Sequence, residues 1–194
     1  MTRRRTLWVV AAAVVVGLLA WGLTQALEYV VTPRVSTADG RAEPAAAADV
    51  PHITATLYYA TADAAALVPV RREVRLAERT VAQGREILAA QLEAAPDPYV
   101  SVIPQGTTLR AFYVTGRGDA FVDLSREAAA NHPGGSFSEL LTVYAIVNAV
   151  TANLPAVQRV QILIDGKEAD TLAGHVDLRR PLQRDQSLVR DEVQ

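Results

Sequence analysis

The stretch from residue 134 to residue 167 constrains the fold most, because a helical pattern there runs directly into a strand pattern. Apolar side chains recur at spacings of four and three residues, which is typical of one face of a helix. These positions are Leu140, Tyr144, Val147, Thr151 and Leu154. Pro155 ends the helix, and residues 158–164 then alternate as a half-buried strand does before an Asp165-Gly166 turn.

Two helix starts are predicted by one short motif, in which a hydroxyl residue precedes a glutamate or glutamine by three positions. Ser136 and Glu139 form this capping box at the helix just described, and Thr80 and Gln83 form it at an earlier helix that extends to about residue 94. Gly84 lies inside the earlier helix. Because glycine weakens a helix by about 1 kcal/mol relative to alanine, it indicates close packing or a later start.

Period-two alternation predicts the remaining strands. They cover residues 52–59, 67–76, 108–114 and 119–124, with a last candidate at 171–178 and a short helical turn at 126–133. Pro69 indicates that the second strand begins or lies at a sheet edge. The order is β-β-α-β-β-α-β with a possible final strand. It predicts an α+β fold, a two-layer sandwich of a mixed five- or six-stranded sheet with two helices on one face.

The amino-terminal region predicts a membrane segment. Residues 1–6 form a basic start with three consecutive arginines, and an apolar segment runs from Leu7 to Leu27 without a charge. About 20 apolar residues span a bilayer. Two interpretations are open: a cleaved secretory signal, or an uncleaved anchor, which the length favours. The leading arginines place the amino terminus in the cytoplasm and the rest of the chain outside the cell membrane.

Composition limits what the outer part can do. Without the three leading arginines, the chain has 16 of its 19 basic residues and all 21 acidic residues. The resulting net charge of about −5 argues against nucleic acid as a partner. The chain has no cysteine, which excludes disulfides, thiolate metal sites and a lipid-modified amino-terminal cysteine. No motif indicates a cofactor.

The outer part divides into three regions by composition. Residues 28–51 form an Ala/Pro-rich segment without periodicity, which predicts a flexible tether. Residues 52–182 carry the strand and helix patterns and predict one folded domain. Residues 183–194 are charged and predict a frayed carboxyl-terminal tail.

Four blocks of this sequence resemble, in their order, the GerMN domain, the sporulation and spore germination module of bacterial envelope proteins. They are IPQGTTL at 103–109, AFVDLS at 120–125, residues 134–167 and TLAGHVDLRRPL at 171–182. The similarity covers roughly residues 53–182 and one copy, whereas the sporulation protein that names the family has two in tandem. It implies a small domain outside the membrane, similar in fold to the ring-building modules of envelope assemblies, without a catalytic centre. Family members are tethered by a lipidated cysteine or a membrane span, and the absence of cysteine selects the span.

Catalytic and metal sites are weakly indicated. His52, His132 and His175 lack the spacing of a metal motif. The sequence neither shows nor excludes that folding brings His132, His175 and Asp177 together as a zinc site. Acidic pairs occur as Asp119 with Asp123, Asp165 with Glu168, and Asp170 with Asp177. Aspartates at turns and strand ends normally accept backbone hydrogen bonds, so we predict no catalytic and no metal-binding residue.

Two groups of residues are candidates for ligand binding. Gly134, Gly135 and Ser136 lie at a predicted helix start, where free N–H groups could bind an anion. Arg71, Arg72 and Arg75 form a basic cluster on an edge-like strand, which could contact anionic glycans or lipid headgroups. A glycine hinge with an N-cap and a solvated basic face explain the same residues without a ligand.

These patterns predict a non-enzymatic, membrane-anchored protein that binds an envelope protein or the cell wall through an exposed sheet face or edge. The alternative is a peptidoglycan-acting enzyme or an activator of one. Self-association into rings or filaments is a third possibility.

Overall fold

The computed structural model describes residues 50–190. The predicted basic start, membrane segment and nearly all of the tether, together with residues 191–194, lie outside the described residues. Within residues 50–190, no helix combines the length and apolar character needed to cross a membrane.

The described chain contains seven strands and three helices, in the order that the sequence patterns predict apart from two short additions. They are β1 (His52–Ala60), β2 (Leu67–Arg75), α1 (Thr80–Leu92), β3 (Leu109–Val114), β4 (Asp119–Leu124), α2 (Glu127–Ala130), α3 (Ser136–Asn153), β5 (Arg159–Ile164), β6 (Lys167–Glu168) and β7 (Leu182–Gln183). Asp165 and Gly166 both have positive φ, of 52° and 75°, so the predicted turn after β5 is confirmed.

The main sheet has five strands in mixed orientation. β3 pairs with β4 antiparallel, β4 with β5 parallel, and the far edge of β5 pairs with the short strands β6 and β7. The parallel pair is connected through α3, a β-α-β crossover. The predicted α+β class with mixed pairing is therefore confirmed.

The predicted single sheet is wrong, because β1 and β2 form a separate two-stranded sheet. The side of β1 that faces away from β2 is bonded by side chains and a loop instead of by a third strand. Asn153 in α3 donates to the Thr56 carbonyl at 2.7 Å and accepts from the Thr56 N–H at 2.8 Å. Gln91 in α1 does the same for Tyr58, at 2.8 and 2.9 Å. These carboxamides satisfy buried backbone groups that would otherwise pair with another strand.

Pro69 lies opposite Tyr58 in β2. The backbone groups of Tyr58 point away from β2, toward Gln91, so this pair is one in which no hydrogen bond is exchanged. The missing N–H of Pro69 therefore costs no bond to β1. The expectation of an edge position for β2 is confirmed, since β1 is its only strand partner in the described sheets.

One core joins the two sheets and the two long helices. Phe112, Val122 and Ile162 of the main sheet belong to the same buried cluster as Ile87 of α1 and Val147 of α3. Both long helices therefore lie on one face of the main sheet, as predicted. A second cluster joins the other side of α3 to the hairpin of β1 and β2. It consists of Leu141, Ala145, Ala149, Tyr58 and Leu67.

The predicted apolar stripe of α3 is too narrow. Leu140 and Tyr144 are only half-buried, whereas ten consecutive or near-consecutive residues between Glu139 and Val150 are buried on several sides of the helix. A helix that is apolar nearly all round is enclosed by its neighbours, and here the two clusters enclose it.

Neither predicted capping box forms, since no cap hydrogen bond is made by a side chain at the start of α1 or α3. Gln83 instead accepts from the N–H of Ala77 at 2.8 Å and donates to the Arg75 carbonyl at 3.1 Å. It fixes the connection between β2 and α1, where a local motif had suggested a cap.

The carboxyl-terminal region differs from both predictions made for it. Residues 171–178 form a loop without a strand, and residues 183–190 are not frayed. Asp185 exchanges hydrogen bonds with the Asn148 side chain of α3 at 2.8 and 3.0 Å. Farther along, Leu67 donates to Leu188 and accepts from Arg190, both at 2.8 Å. Long-range bonds of this kind leave no periodic signal in a short polar segment.

Gly84 lies where α1 packs directly on Phe112 of the main sheet. A Cβ built on it would lie 2.2 Å from Cε1 of Phe112, whose ring is fully buried. The close packing proposed for this glycine is therefore confirmed.

We predict that Gly84→Ala lowers the free energy of unfolding by about 1–3 kcal/mol, because the added methyl group displaces a buried ring in a packed core. Gly116→Ala is the matched control, since nothing lies within 4 Å of a Cβ there. Chemical denaturation of both variants measures the difference. Equal stability of the two variants would contradict the packing described.

Candidate functional site

His132 and His175 lie beside the start of α3, where His132 contacts Gly134 and Thr142 and His175 contacts Glu139. Gly134 donates its N–H to Nδ1 of His132 at 3.0 Å, so the neutral ring carries its proton on Nε2, which lies 3.1 Å from the hydroxyl of Thr142. Burial lowers the pKa of His132, which favours this neutral form. His52 is exposed at the start of β1.

Glu139 is a fully buried carboxylate that organises the loop after β6. One oxygen accepts from the backbone N–H groups of Leu172 and Ala173, both at 2.8 Å. The other accepts from the N–H of His175 at 2.8 Å and lies 3.2 Å from Nδ1 of the same residue. The residue has no exposed surface, so its charge is compensated by protein groups and not by water.

The electrostatics of Glu139 reflect two opposing effects. Burial alone raises its pKa, but hydrogen bonds from the backbone of Ala173, Val176, His175 and Leu172 lower it more, and the net pKa lies below its ordinary value. The carboxylate is thus ionised at neutral pH and serves to hold the loop.

No zinc site of His132, His175 and Asp177 is assembled. Both oxygens of Asp177 bind Arg179, with Oδ2 at 2.8 Å from Nη2, and these bonds hold the pKa of Asp177 well below its usual range. Over residues 50–190, no three histidine, aspartate or glutamate side chains are placed to hold a metal ion.

Four of the six acidic residues that the sequence offered as pairs form ion pairs, namely Asp119, Asp123, Asp165 and Asp177. Asp119 accepts from Nε of Arg159 at 2.7 Å, and Asp123 accepts from Nε of Arg110 at 3.3 Å and from the N–H of Gly166 at 2.7 Å. The same Arg110 reaches Asp165 at 3.0 Å. These carboxylates have the structural role expected of strand-end and turn positions.

The glycine-rich candidates lie where the sequence places them. Gly134 and Gly135 have positive φ, of 84° and 90°. Ser136 is the first residue of α3, and no side chain caps this end of the helix. Glu139 carries its charge in the same first turn. A carboxylate there offsets the positive end of the helix dipole and weakens the case for a second anion.

The three arginines of the basic cluster lie together on β2, but their side chains alternate between the two faces of the strand. Arg72 is half-buried and donates to the Tyr59 hydroxyl and to Glu93, both at 3.1 Å, whereas Arg71 and Arg75 are exposed. Glu73 lies between the two exposed arginines on the same face of the strand. The surface is therefore mixed in charge.

The face of the main sheet opposite to the core, its outer face, carries an exposed aromatic side chain, Tyr113. Phe112, Val122 and Ile162 point into the core, so their strand neighbours point outward. Tyr113 there is 57% exposed and lies directly opposite the half-buried Phe121. We call the surface formed by Ala111, Tyr113, Phe121 and Leu163 the outer strip.

Ion pairs border the outer strip at both ends of the strands. Asp119 with Arg159 lies at one end, and Arg110 with Asp123 and Asp165 lies at the other. Arg110 reaches that position because the register shifts between Leu109 and Ala111, a β-bulge that redirects the extra residue. The strip is thus an aromatic centre with hydrogen-bonding groups on two sides.

A cavity of about 430 Å³ lies between the end of α1 and the following loop. Leu92, Tyr99, Ile103 and Pro104 contribute apolar surface, and Glu93 is the only charged residue in its lining. Glu93 already pairs with Arg72, so the lining of the cavity offers no unpaired charge to a ligand.

Sequence analysis missed two features of this region. The hydrogen bonds of Glu139 join residues more than thirty positions apart, and a glutamate within an apolar run was the only available signal. The outer strip was missed because Phe121 and Tyr113 look like core residues in a strand pattern. The expectation that one sheet face is left uncovered had pointed toward it.

Comparisons with known proteins give one family and one fold. The family model described as Germane, sporulation and spore germination, matches residues 56–170. The crystal structure of a candidate lipoprotein from Clostridium perfringens has a TM-score of 0.50 at 22% identity, over 71% of this chain and 91% of that one. The tandem GerMN domains of the sporulation protein GerM from Bacillus subtilis have a TM-score of 0.52 at 16% identity, over 70% of this chain and 46% of the tandem. Among the curated proteins, none matches this chain.

We predict that Glu139→Gln lowers the free energy of unfolding at neutral pH by about 2–4 kcal/mol, because an amide places donors against backbone donors in a buried site. The pKa of Glu139 in the folded state lies below its ordinary value, so its stabilisation is complete above that ordinary value and is lost as pH falls through the folded value. The variant should lack this part of the acid dependence.

Denaturation between about pH 3 and pH 7 measures the effect, with the exposed Glu168→Gln as the control. An acid dependence of Glu139→Gln that equals that of the unmodified protein would contradict the role given to this carboxylate.

Proposed function

The chain belongs to the Germane family of sporulation and spore germination domains, and from this premise we propose that it is a membrane-anchored binding or scaffolding module of the bacterial cell envelope. In this proposal it has no enzymatic activity of its own. The folded domain lies outside the membrane and binds a protein or the cell wall through the outer strip.

The observation that carries the proposal is the exposure of Tyr113 on the edge strand β3, on the face of the main sheet opposite to the core. The ring is 57% exposed, although aromatic side chains in strands are usually buried against a second layer. Its strand, β3, is an edge of the main sheet and is held by hydrogen bonds to β4 on one side. Exposed aromatic residues on a rigid support are typical of interaction sites.

The fixed roles of the acidic residues and histidines support a non-enzymatic function. Glu139, the most deeply buried carboxylate, is fully used in holding the loop at residues 172–175. His132 braces Gly134 and Thr142 in its neutral form. A general acid or base needs a side chain that is free to exchange its proton with a substrate, and these are committed to the fold.

The membrane location rests on the predicted segment from Leu7 to Leu27, which is outside the described residues. A fold shared with a candidate lipoprotein supports a position at the envelope. A tether of about twenty residues before β1 would allow the domain to reach partners away from the bilayer.

Because the chain has no cysteine, its topology can be tested with single introduced cysteines. We predict that Gly116→Cys, at an open loop position, reacts with a membrane-impermeant maleimide on intact cells. Thr2→Cys should react only after the cells are opened. Labelling of Thr2→Cys alone on intact cells would reverse the proposed orientation.

We predict that the full chain, purified in detergent, sediments with isolated peptidoglycan or captures an envelope protein in a cross-linking pull-down, without releasing muropeptides. Tyr113→Ala should weaken either interaction, whereas Phe137→Ala should not. Phe137 is a matched control, since its ring is 46% exposed at the start of α3. Release of muropeptides would favour the alternative of a wall enzyme, and elution as a large oligomer that Tyr113→Ala dissociates would favour self-association.

A further inference from the structure

We infer that the outer strip binds the glycan strands of peptidoglycan, with pyranose rings stacked on Tyr113 and Phe121 and their polar substituents bonded to the flanking ion pairs. This inference rests on the proposed function and names its ligand. It comes from the polarity, charge and spacing of the outer strip.

The polarity of the surface favours a sugar over a folded protein. A stable protein interface buries roughly 1,200–2,000 Å² around an apolar centre. Among the described residues of β3, β4 and β5, Tyr113 is the only large apolar side chain that is mostly exposed. One exposed ring with a half-buried neighbour is too small a centre for such an interface. It matches the apolar C–H face of a sugar ring, which is about the size of one aromatic side chain.

The charges of the surface favour a ligand with little charge of its own. Arg159 is neutralised by Asp119, and Arg110 is shared between Asp123 and Asp165. Two arginines against three aspartates leave a net charge of −1, so the surface offers no strong field of one sign to attract a polyanion or a polycation. The oxygens and N–H groups of the exposed members can still form hydrogen bonds with hydroxyl and acetamido groups.

The spacing of these groups suits an extended chain. Asp119, Phe121 and Asp123 follow one another at alternate positions of β4, so the distance between the two ends is about 13 Å. The aromatic centre lies midway. A glycan that runs along the strands can therefore place one ring on the aromatic pair and reach polar groups before and after it, the arrangement by which few polar groups orient a ligand.

The test uses the full chain in detergent and isothermal titration calorimetry with the hexamer of N-acetylglucosamine, a soluble probe for the glycan strand. We expect saturable binding that Tyr113→Ala weakens by about tenfold or more, because an aromatic contact at the centre of a small site is lost. Tyr113→Phe should retain binding, since it keeps the ring. Phe137→Ala should bind as the unmodified protein does. Thermal unfolding of each variant verifies that it is folded.

Three results would overturn the inference: no binding of the hexamer, equal binding by Tyr113→Ala and the unmodified chain, or equal binding of cellohexaose, which lacks the acetamido groups of the wall. Capture of a protein partner that depends on Tyr113, without glycan binding, would also overturn it while leaving the proposed function in place. Failure of both experiments would remove the proposed function as well.

Discussion

The structure depends on the enclosure of α3, a helix covered by the main sheet on one side and by the β1–β2 hairpin on another. Polar side chains on such a helix must find partners inside the protein, because water does not reach them. Glu139, Thr142 and Asn148 are buried in this way, and Asn153 at the end of the helix is half-buried. All four bind segments distant in sequence, Thr142 by donating to the Val102 carbonyl at 2.6 Å. Glu139 holds the loop at residues 172–175, Asn148 holds Asp185, and Asn153 holds Thr56. Each partner group is a backbone amide or carbonyl that would otherwise be unpaired. The helix thus orders a loop, the carboxyl-terminal segment and a strand at once, and the cost of burying its polar groups is offset by the backbone groups they satisfy.

The same chemistry explains why the hairpin does not join the main sheet. A strand edge with unpaired backbone groups recruits another strand, within the protein or from a second chain. On β1 that edge is bonded by the carboxamides of Gln91 and Asn153 and by a bridge from Ala60 to Val100. A carboxamide can aim its oxygen and one of its two N–H groups at a strand in the geometry of a peptide group, so it can replace a neighbouring strand one residue at a time. The two helices therefore end the small sheet and bind it to the core in the same contacts.

This mechanism also defines what sequence patterns can predict. Periodicity reports which face of an element is apolar, and it identified all five long strands and both long helices, since burial of a face is a local property of spacing. It reports nothing about a partner thirty or ninety positions away. Glu139 and Gln83 each follow a hydroxyl residue by three positions, and the local motif predicted caps for both. Each binds a backbone segment outside its own helix instead. The outer strip could be predicted only in outline, as a sheet face without a covering layer, because an aromatic residue at a strand position is normally in the core.

The commitment of buried polar groups to the fold determines where a function can be located. A side chain that satisfies backbone groups cannot also bind a ligand without leaving those groups unpaired, at a cost of about 1–3 kcal/mol each. Glu139, Asn148 and Asn153 are therefore unsuited to a variable site, and so is the amino end of α3, where the charge of Glu139 is already present. Tyr113 has no such commitment, since its removal leaves the core on the opposite face of the sheet intact. The outer strip, where we propose that recognition occurs, lies on the opposite face of the sheet from these groups, and the packing of α1 and α3 against the main sheet keeps that face preorganised.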